Sequence, residues 1–339
     1  MAVSSVPRLQ GTALALAATF AQRLGRGSSD IDTLEPDWTV VLKLLDRLGW
    51  PALHELPVAE SRSEVEREAR VLLGPRPPAV PVRELVVGGA AGPLPARLYV
   101  PEDAEPRGPL LLYLHGGGWV FGSPASLDIA CRHLAQAARL RLLSSSYRLA
   151  PEARFPAAVD DALAAFEWAH RSADTLGADP ARLIVAGDSA GANLATVVAR
   201  EATETPIAQL LLYPITDLSR EHHSYGEFPD GPVLDASGMR WFRGNYLGRD
   251  EEAFDPRVSP LLASNLGNMP PAYIAIASHD PLRDEGLAYS ERLRAAGVPV
   301  TVALHRRQPH AFADFAGVIP TARSALLHAA RWLRGVPLH

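Results

Sequence analysis

Residues 187–191 read Gly187-Asp188-Ser189-Ala190-Gly191 and follow the apolar run Leu183-Ile184-Val185-Ala186 directly. A serine on a sharp strand-to-helix turn projects its hydroxyl away from the backbone, and flanking glycines are required where any Cβ would clash. The run after it, residues 192–199, has helical composition, so a helix N-terminus points at Ser189 and favours negative charge beside it. That chemistry is nucleophilic attack on an acyl carbon. The bland reading is a glycine-rich turn that only packs helix on sheet.

Upstream, the strand-like run 110–114 leads into His115-Gly116-Gly117-Gly118-Trp119. Consecutive glycines leave backbone N–H groups bare, which is what an oxyanion hole requires. A phosphate loop does not fit, because no Gly-Lys-Ser/Thr follows.

With these motifs the chain resembles the hormone-sensitive-lipase-like family of bacterial carboxylesterases, within the α/β-hydrolases. The resemblance extends through Tyr147-Arg148-Leu149-Ala150-Pro151-Glu152, Phe155-Pro156-Ala157-Ala158-Val159-Asp160-Asp161, Ser259-Pro260-Leu261-Leu262 and Asp280-Pro281-Leu282-Arg283-Asp284-Glu285-Gly286, in the family's order from about residue 36 to the C-terminus. It implies a mostly parallel central sheet with helices on both faces and a helical cap. It also implies that Asp280 is the triad acid and His310, in His310-Ala311-Phe312, the base. The order Ser189, Asp280, His310 is that of α/β-hydrolases. Ala311 replaces the family's usual glycine, and the approach Arg306-Arg307-Gln308-Pro309 departs from its pattern.

The mechanism so implied has His310 take the Ser189 proton, Ser189 attack an ester carbonyl, and the amides of Gly117, Gly118 and Ala190 hold the oxyanion. No metal or organic cofactor is expected. The same triad serves an amidase or arylacetamide-type deacetylase equally well, since both bonds break through one kind of intermediate. A non-catalytic binding protein on this scaffold, as in the plant gibberellin receptors, would lack the histidine.

There are eleven histidines, so His310 has competitors. His115 is expected to shape the glycine loop by bonding to backbone. His279 abuts Asp280 and cannot easily turn back onto it. His305, at the end of a strand, is the rival base. Asp284 is the rival acid, and is expected instead to cap the helix that starts near Glu285.

Composition narrows the rest. The length of 339 residues suits one large domain with an insertion, or two small ones, and a hydrophobic content of 47% is ample for a core. A net charge of −5 leaves no basic footprint for nucleic acid. The single cysteine, Cys131, rules out an intrachain disulfide and fits the cytoplasm. Lys43 is the only lysine, which excludes Ser-x-x-Lys chemistry at Ser189 and a phosphate-loop lysine. Metal-binding spacings such as H-E-x-x-H do not occur.

The elements that must position these groups follow from hydrophobic periodicity. Strands are predicted over 83–87, 96–100, 110–114, 140–145, 183–186, 207–213, 273–277 and 298–304. Helices are predicted over 129–138, 157–170, 236–247 and 321–333. Helical spacing also marks 37–48 and 63–73, the latter opening Ser-x-x-Glu with alternating charge, hence a capped and exposed face. The apolar run 11–21 is read as the start of an amphipathic helix; the alternative is a signal peptide over residues 1–27 and export. Neither inserts stably in a membrane, the run being too short.

Domain boundaries are expected at 1–35 for an N-terminal extension, 36–79 and 217–255 for a cap, and 80–216 with 256–339 for the catalytic core. Trp119, Tyr225, Phe228, Trp241 and Phe242 are expected around a substrate pocket. The expected partner is a small ester, and strand 298–304, as the sheet's last, offers an unguarded edge for a homodimer.

Overall fold

A computed structural model describes residues 10, 12–17 and 34–336. The runs of apolar residues become one eight-stranded sheet in the order β1-β2-β4-β3-β5-β6-β7-β8. Its strands are β1 (Val82–Gly89), β2 (Gly92–Tyr99), β3 (Gly108–Leu114), β4 (Arg141–Ser145), β5 (Ala178–Asp188), β6 (Ala208–Leu212), β7 (Ala272–His279) and β8 (Val300–Pro309). β1 and β2 form an antiparallel hairpin, β2 pairs antiparallel with β4, and every other pair is parallel. This is the α/β-hydrolase fold.

Both faces of the sheet are covered, and the pleat divides the core. Leu110, Leu112, Leu114, Leu183, Val185, Ile274 and Ile276 point to one side, with α4 (Ala157–Ser172), α5 (Ala190–Glu201) and α8 (Arg283–Ala295). Leu111, Tyr113, Ile184, Ala186, Tyr273 and Ala275 point to the other, with α1 (Pro36–Arg47), α3 (Asp128–Ala138) and α9 (Pro320–Arg334). Strands buried on both faces read as continuous apolar runs, because period-2 alternation has no polar side to show.

Topology brings the chemistry together. The chain leaves β3 for β4 on one side and then crosses to β5 on the other, so the carboxyl ends of β3 and β5 flank a switch point where open α/β sheets bind ligands. Leu114 lies opposite Gly187, which sets the glycine run beside the Ser189 turn. On the far side β7 and β8 are neighbours, and His279 lies opposite Pro309, so the residues that follow them, Asp280 and His310, emerge together.

Several local expectations change. The last strand runs from Val300 to Pro309 rather than over 298–304, because pairing with β7 continues past a bulge between Ala277 and His279. Helix α2 spans Val58–Leu72, so Ser63 lies inside it, its hydroxyl bonding to Ala59 O, and is no cap. Residues 12–17 are helical, with Leu14 buried in the same cluster as Trp38; the rest of the predicted N-terminal helix and residues 28–30 lie outside the described residues. Among the described residues no helix is long and apolar enough to cross a membrane.

Helix α1 bears on the site from below. Trp38 is fully buried, lies 4.7 Å from the Phe315 ring and donates Nε1–H to Gln308 Oε1 at 2.6 Å. Asp37 accepts the Thr321 amide and hydroxyl at 3.1 and 2.8 Å. The segment holding His310 is thereby pinned on both flanks.

Candidate active site

Ser189 has φ +53° and ψ −117°, a conformation a side-chain-bearing residue adopts only when its surroundings impose it. They do so through contact at Gly187 and Gly191. A Cβ on Gly187 would lie 2.3 Å from Gly191 C, and one on Gly191 would lie 2.0 Å from Leu114 O. The Ser189 amide donates to Leu212 O at 2.8 Å, and Asn193 N donates to Ser189 O at 3.0 Å, closing the first turn of α5.

His310 and Asp280 complete a hydrogen-bonded row. The Ser189 hydroxyl lies 3.0 Å from His310 Nε2, and His310 Nδ1 lies 2.7 Å from Asp280 Oδ2. All three are nearly buried, with exposures of 7%, 5% and 1% for Ser189, His310 and Asp280. The carboxylate accepts Nδ1–H, which leaves Nε2 as the ring's acceptor, turned to the serine. Asp280 Oδ1 takes the Leu282 amide at 2.9 Å, so the acid is itself held. The turn after His310 needs Ala311 at φ +57°, a position glycine adopts without strain.

The rival groups lie elsewhere. His305 packs against Phe312 and His328 outside the cavity, and burial lowers its pKa to about 4. His115 is neutral for the same reason, its pKa lowered to about 4 by burial, and its Nδ1–H donates to Gly116 O at 2.8 Å. Asp284 does not cap the helix near Glu285. Helix α8 starts before it, and its carboxylate accepts the Ser224 amide at 2.9 Å, tying α6 (His223–Glu227) to the loop of Asp280.

The glycine run is a turn in which the amides of Gly117 and Gly118 are free. Val120 N and Phe121 N both bond to Gly117 O, at 3.0 and 3.1 Å. No acceptor within the described residues takes the amides of Gly117 or Gly118, and Ala190 is the first residue of α5, where N–H groups have no helical partner. Asp188 locks turn to elbow: its Oδ1 accepts the Gly116 amide and the Tyr113 hydroxyl, each at 2.9 Å. Burial raises its pKa, and these two donors oppose that rise.

A cavity of about 530 Å³ opens over Ser189 and His310, lined also by Gly117, Gly118, Leu53, Val65, Leu234 and Phe242. Of the aromatic residues expected around a pocket, only Phe242 lines it. Trp119 is fully buried, stacked on Tyr246 with ring centroids 4.0 Å apart, because the turn at φ +61° swings it beneath the loop. Tyr225 is buried in the core, Trp241 packs edge-on against Phe242 at 5.3 Å, and Phe228 lies under Arg283, 5.4 Å from the guanidinium carbon.

Carboxyl groups in the cavity wall were not expected, and two of them are unusual. Glu68 and Asp314 both line it, each with one buried oxygen lacking a partner. Desolvation pushes the Glu68 pKa up to about 8 and raises that of Asp314 well above the usual range. Helix α2 therefore turns Glu68 to the cavity instead of the expected outer face. Val65, Glu68, Ala69 and Leu72 recur at helical spacing and share the cavity face, a pattern the alternating charges conceal.

Close fit makes one residue sensitive. A Cβ on Gly118, at φ +58°, would lie 2.0 Å from the Phe242 ring. Gly118→Ala is expected to cost about 1–3 kcal/mol in denaturant unfolding, as overpacking does. Adding Phe242→Ala should recover part of that loss. Additive effects in the double variant would deny the contact.

A family model described as the alpha/beta hydrolase fold matches residues 111–314. The carboxylic ester hydrolase LipN of Mycobacterium tuberculosis is 41% identical over 294 residues, covering 84% of this chain and 78% of that protein. An ethyl acetate hydrolase of Pseudomonas putida is 38% identical over 308 residues, covering 87% and 96%. Among solved structures, an ester hydrolase from the metagenome of Lake Arreo, in complex with a bipyridine phosphonate derivative, superposes with a TM-score of 0.85 at 39% identity, covering 89% of this chain and 99% of that one. With that fold, these relatives and a buried serine at the switch point of its sheet, the chain belongs to the hormone-sensitive-lipase-like carboxylesterases of the α/β-hydrolase superfamily and is a carboxylic ester hydrolase.

Proposed function

We propose that this enzyme hydrolyses short- to medium-chain acyl esters with Ser189 as nucleophile, His310 as base and Asp280 as the acid that orients it. The observation that carries the reading is the unbroken row Asp280–His310–Ser189, at 2.7 and 3.0 Å, at the foot of the cavity. His310 Nε2 takes the serine proton as Oγ attacks the ester carbonyl. Negative charge gathers on the carbonyl oxygen, opposite the amides of Gly117, Gly118 and Ala190. One such donor is typically worth ~3–4 kcal/mol of transition-state stabilisation. The imidazolium, held by Asp280, then protonates the leaving alcohol. Water attacks the acyl-enzyme by the same steps in reverse.

In this reading residues 36–79 and 217–255 act as a cap over a core of 80–216 and 256–339. Both segments contribute to the cavity wall, through Leu53, Val65 and Glu68 on one side and Leu234 and Phe242 on the other. The cytoplasm is the proposed compartment, which suits a chain whose single cysteine, Cys131, is buried as a free thiol.

Ser189→Ala and His310→Ala should each cut kcat by about 10³-fold or more with the unfolding midpoint nearly unchanged. His305→Ala should leave kcat close to wild type. A dead His305 variant beside an active His310 variant would reverse the choice of base.

A cavity of about 530 Å³ walled on two sides limits the chain it encloses. In a series of p-nitrophenyl esters kcat/KM should peak at acyl chains of about C2 to C8. Faster turnover of emulsified long-chain triglycerides than of soluble butyrate esters would defeat the size limit.

A second copy of this chain is the proposed partner. β8 is the outer strand of the sheet, and Leu304 on it is 42% exposed. Glu35 N already donates to Arg307 O near the strand's end, and pairing residues 300–304 with their copy across a two-fold axis would cover the rest of the edge. Light scattering at micromolar concentration should give a dimer mass, and Leu304→Arg should lower it. A monomer mass for the wild type rules the pairing out.

A further inference from the structure

Arg62, on helix α2, reaches the back of the glycine turn. Its Nε donates to Val120 O at 2.9 Å, and its Nη2 donates to Ala150 O at 2.9 Å. The two carbonyls belong to segments already joined, since Ala150 N donates to Trp119 O at 2.8 Å. Nη1 and Nη2 also meet Glu152 at 2.9 and 2.6 Å. One turn further along the helix, Glu66 Oε1 accepts the Ser123 hydroxyl at 2.6 Å. Positions 62 and 66 share a helix face, so one face of α2 grips the loop at Val120 and at Ser123.

The loop needs such a grip. Gly117, Gly118 and Trp119 follow one another at φ +103°, +58° and +61°. The two glycines take these angles freely, but a tryptophan persists in this region only where the surroundings over-determine it. The turn's own bonds, from Val120 N and Phe121 N to Gly117 O, close it, and Asp188 ties its start at Gly116 to the serine turn, but neither holds its far side at Val120. A planar guanidinium donating to two carbonyls in different segments supplies that missing coordinate, and an ammonium, as a point charge, does not.

We propose that Arg62 is a positioning residue for the oxyanion hole, setting the Gly117 and Gly118 amides over the carbonyl oxygen through Val120 and Ala150. The inference rests on the reading of these amides as oxyanion donors. It makes α2 part of the transition-state machinery as well as a wall of the cavity. Arg62 touches no reacting atom, so its loss acts where charge develops and spares ground-state binding.

The test is Arg62→Met and Arg62→Lys in the full-length enzyme, assayed with p-nitrophenyl butyrate and with an alkylboronic acid as the inhibitor. A boronic acid bonds reversibly to a nucleophilic serine and sets a hydroxyl of the tetrahedral adduct in the oxyanion position. Both variants should lose about 10- to 100-fold in kcat, as a misplacement of about an ångström does, with KM within about twofold. Boronate affinity should weaken in step with kcat/KM. Glu152→Gln, which leaves both carbonyl contacts in place, should stay close to wild type, as exposed ion pairs contribute little.

Values of kcat within about twofold of wild type in both Arg62 variants, or a loss carried by KM with boronate affinity unchanged, overturn the proposal. If Arg62→Met fails to fold, Arg62→Lys decides, since it keeps the charge facing Glu152. Failure of both to fold overturns it in favour of a purely structural anchor. Undiminished turnover in Ser189→Ala instead removes the triad reading beneath it, whatever Arg62 does.

Discussion

The structure depends on one close approach, that of the first turn of α5 to the end of β3. Gly187 and Gly191 meet with no room for a Cβ on either, and the second of them lies against Leu114 O. Because Leu114 and Gly187 are also paired in the sheet, strand register and helix position are set by the same contact. The strained serine turn, the neighbouring glycine turn and the direction of the α5 axis all follow. Hydrogen bonds from Gly116 N and Tyr113 to Asp188 convert that contact into a fixed distance between the serine and the start of the glycine turn.

The two segments proposed as a cap meet the glycine turn from opposite sides. Phe242 of α7 (Ala236–Tyr246) lies over Gly118, and Tyr246 of the same helix stacks on Trp119. Arg62 and Glu66 of α2 reach Val120 and Ser123 from the other. These are different kinds of force. Ring packing is short-ranged and excludes water, whereas the arginine fork fixes direction. A turn built from left-handed residues is held by both, since its own backbone bonds do not determine where it stands.

Electrostatics within the cavity follow from burial, which disfavours a charged carboxylate away from water. Asp188, Glu68 and Asp314 all have raised pKa values, with burial as the leading cause in each. Desolvation is opposed by two donors at Asp188. Glu68 and Asp314 each keep a buried oxygen without a partner, so a neutral carboxyl is the cheaper state there.

Much of this was legible in the sequence. The strand–turn–helix at Ser189 and the glycine run after β3 are local patterns, and local sterics dictate what they can be. The alternation of strands and helices, and so the fold class, follows from hydrophobic period in the same way. Those features are decided by neighbours in the chain. Directions of side chains across the fold are decided by packing between distant segments, and these the sequence left open. Trp119 turned under its loop, Asp284 reached for Ser224, and β8 ran on to Pro309 because β7 offered it a partner. Glu68 turned inward because the apolar face it shares with Val65 and Leu72 closes the cavity. The sequence by itself determined which backbone could expose a serine and bare amides at the end of a parallel sheet. Which side chains wall the cavity above that serine, and what holds the amides over it, only the tertiary structure decided, because both depend on contacts between residues far apart in the chain.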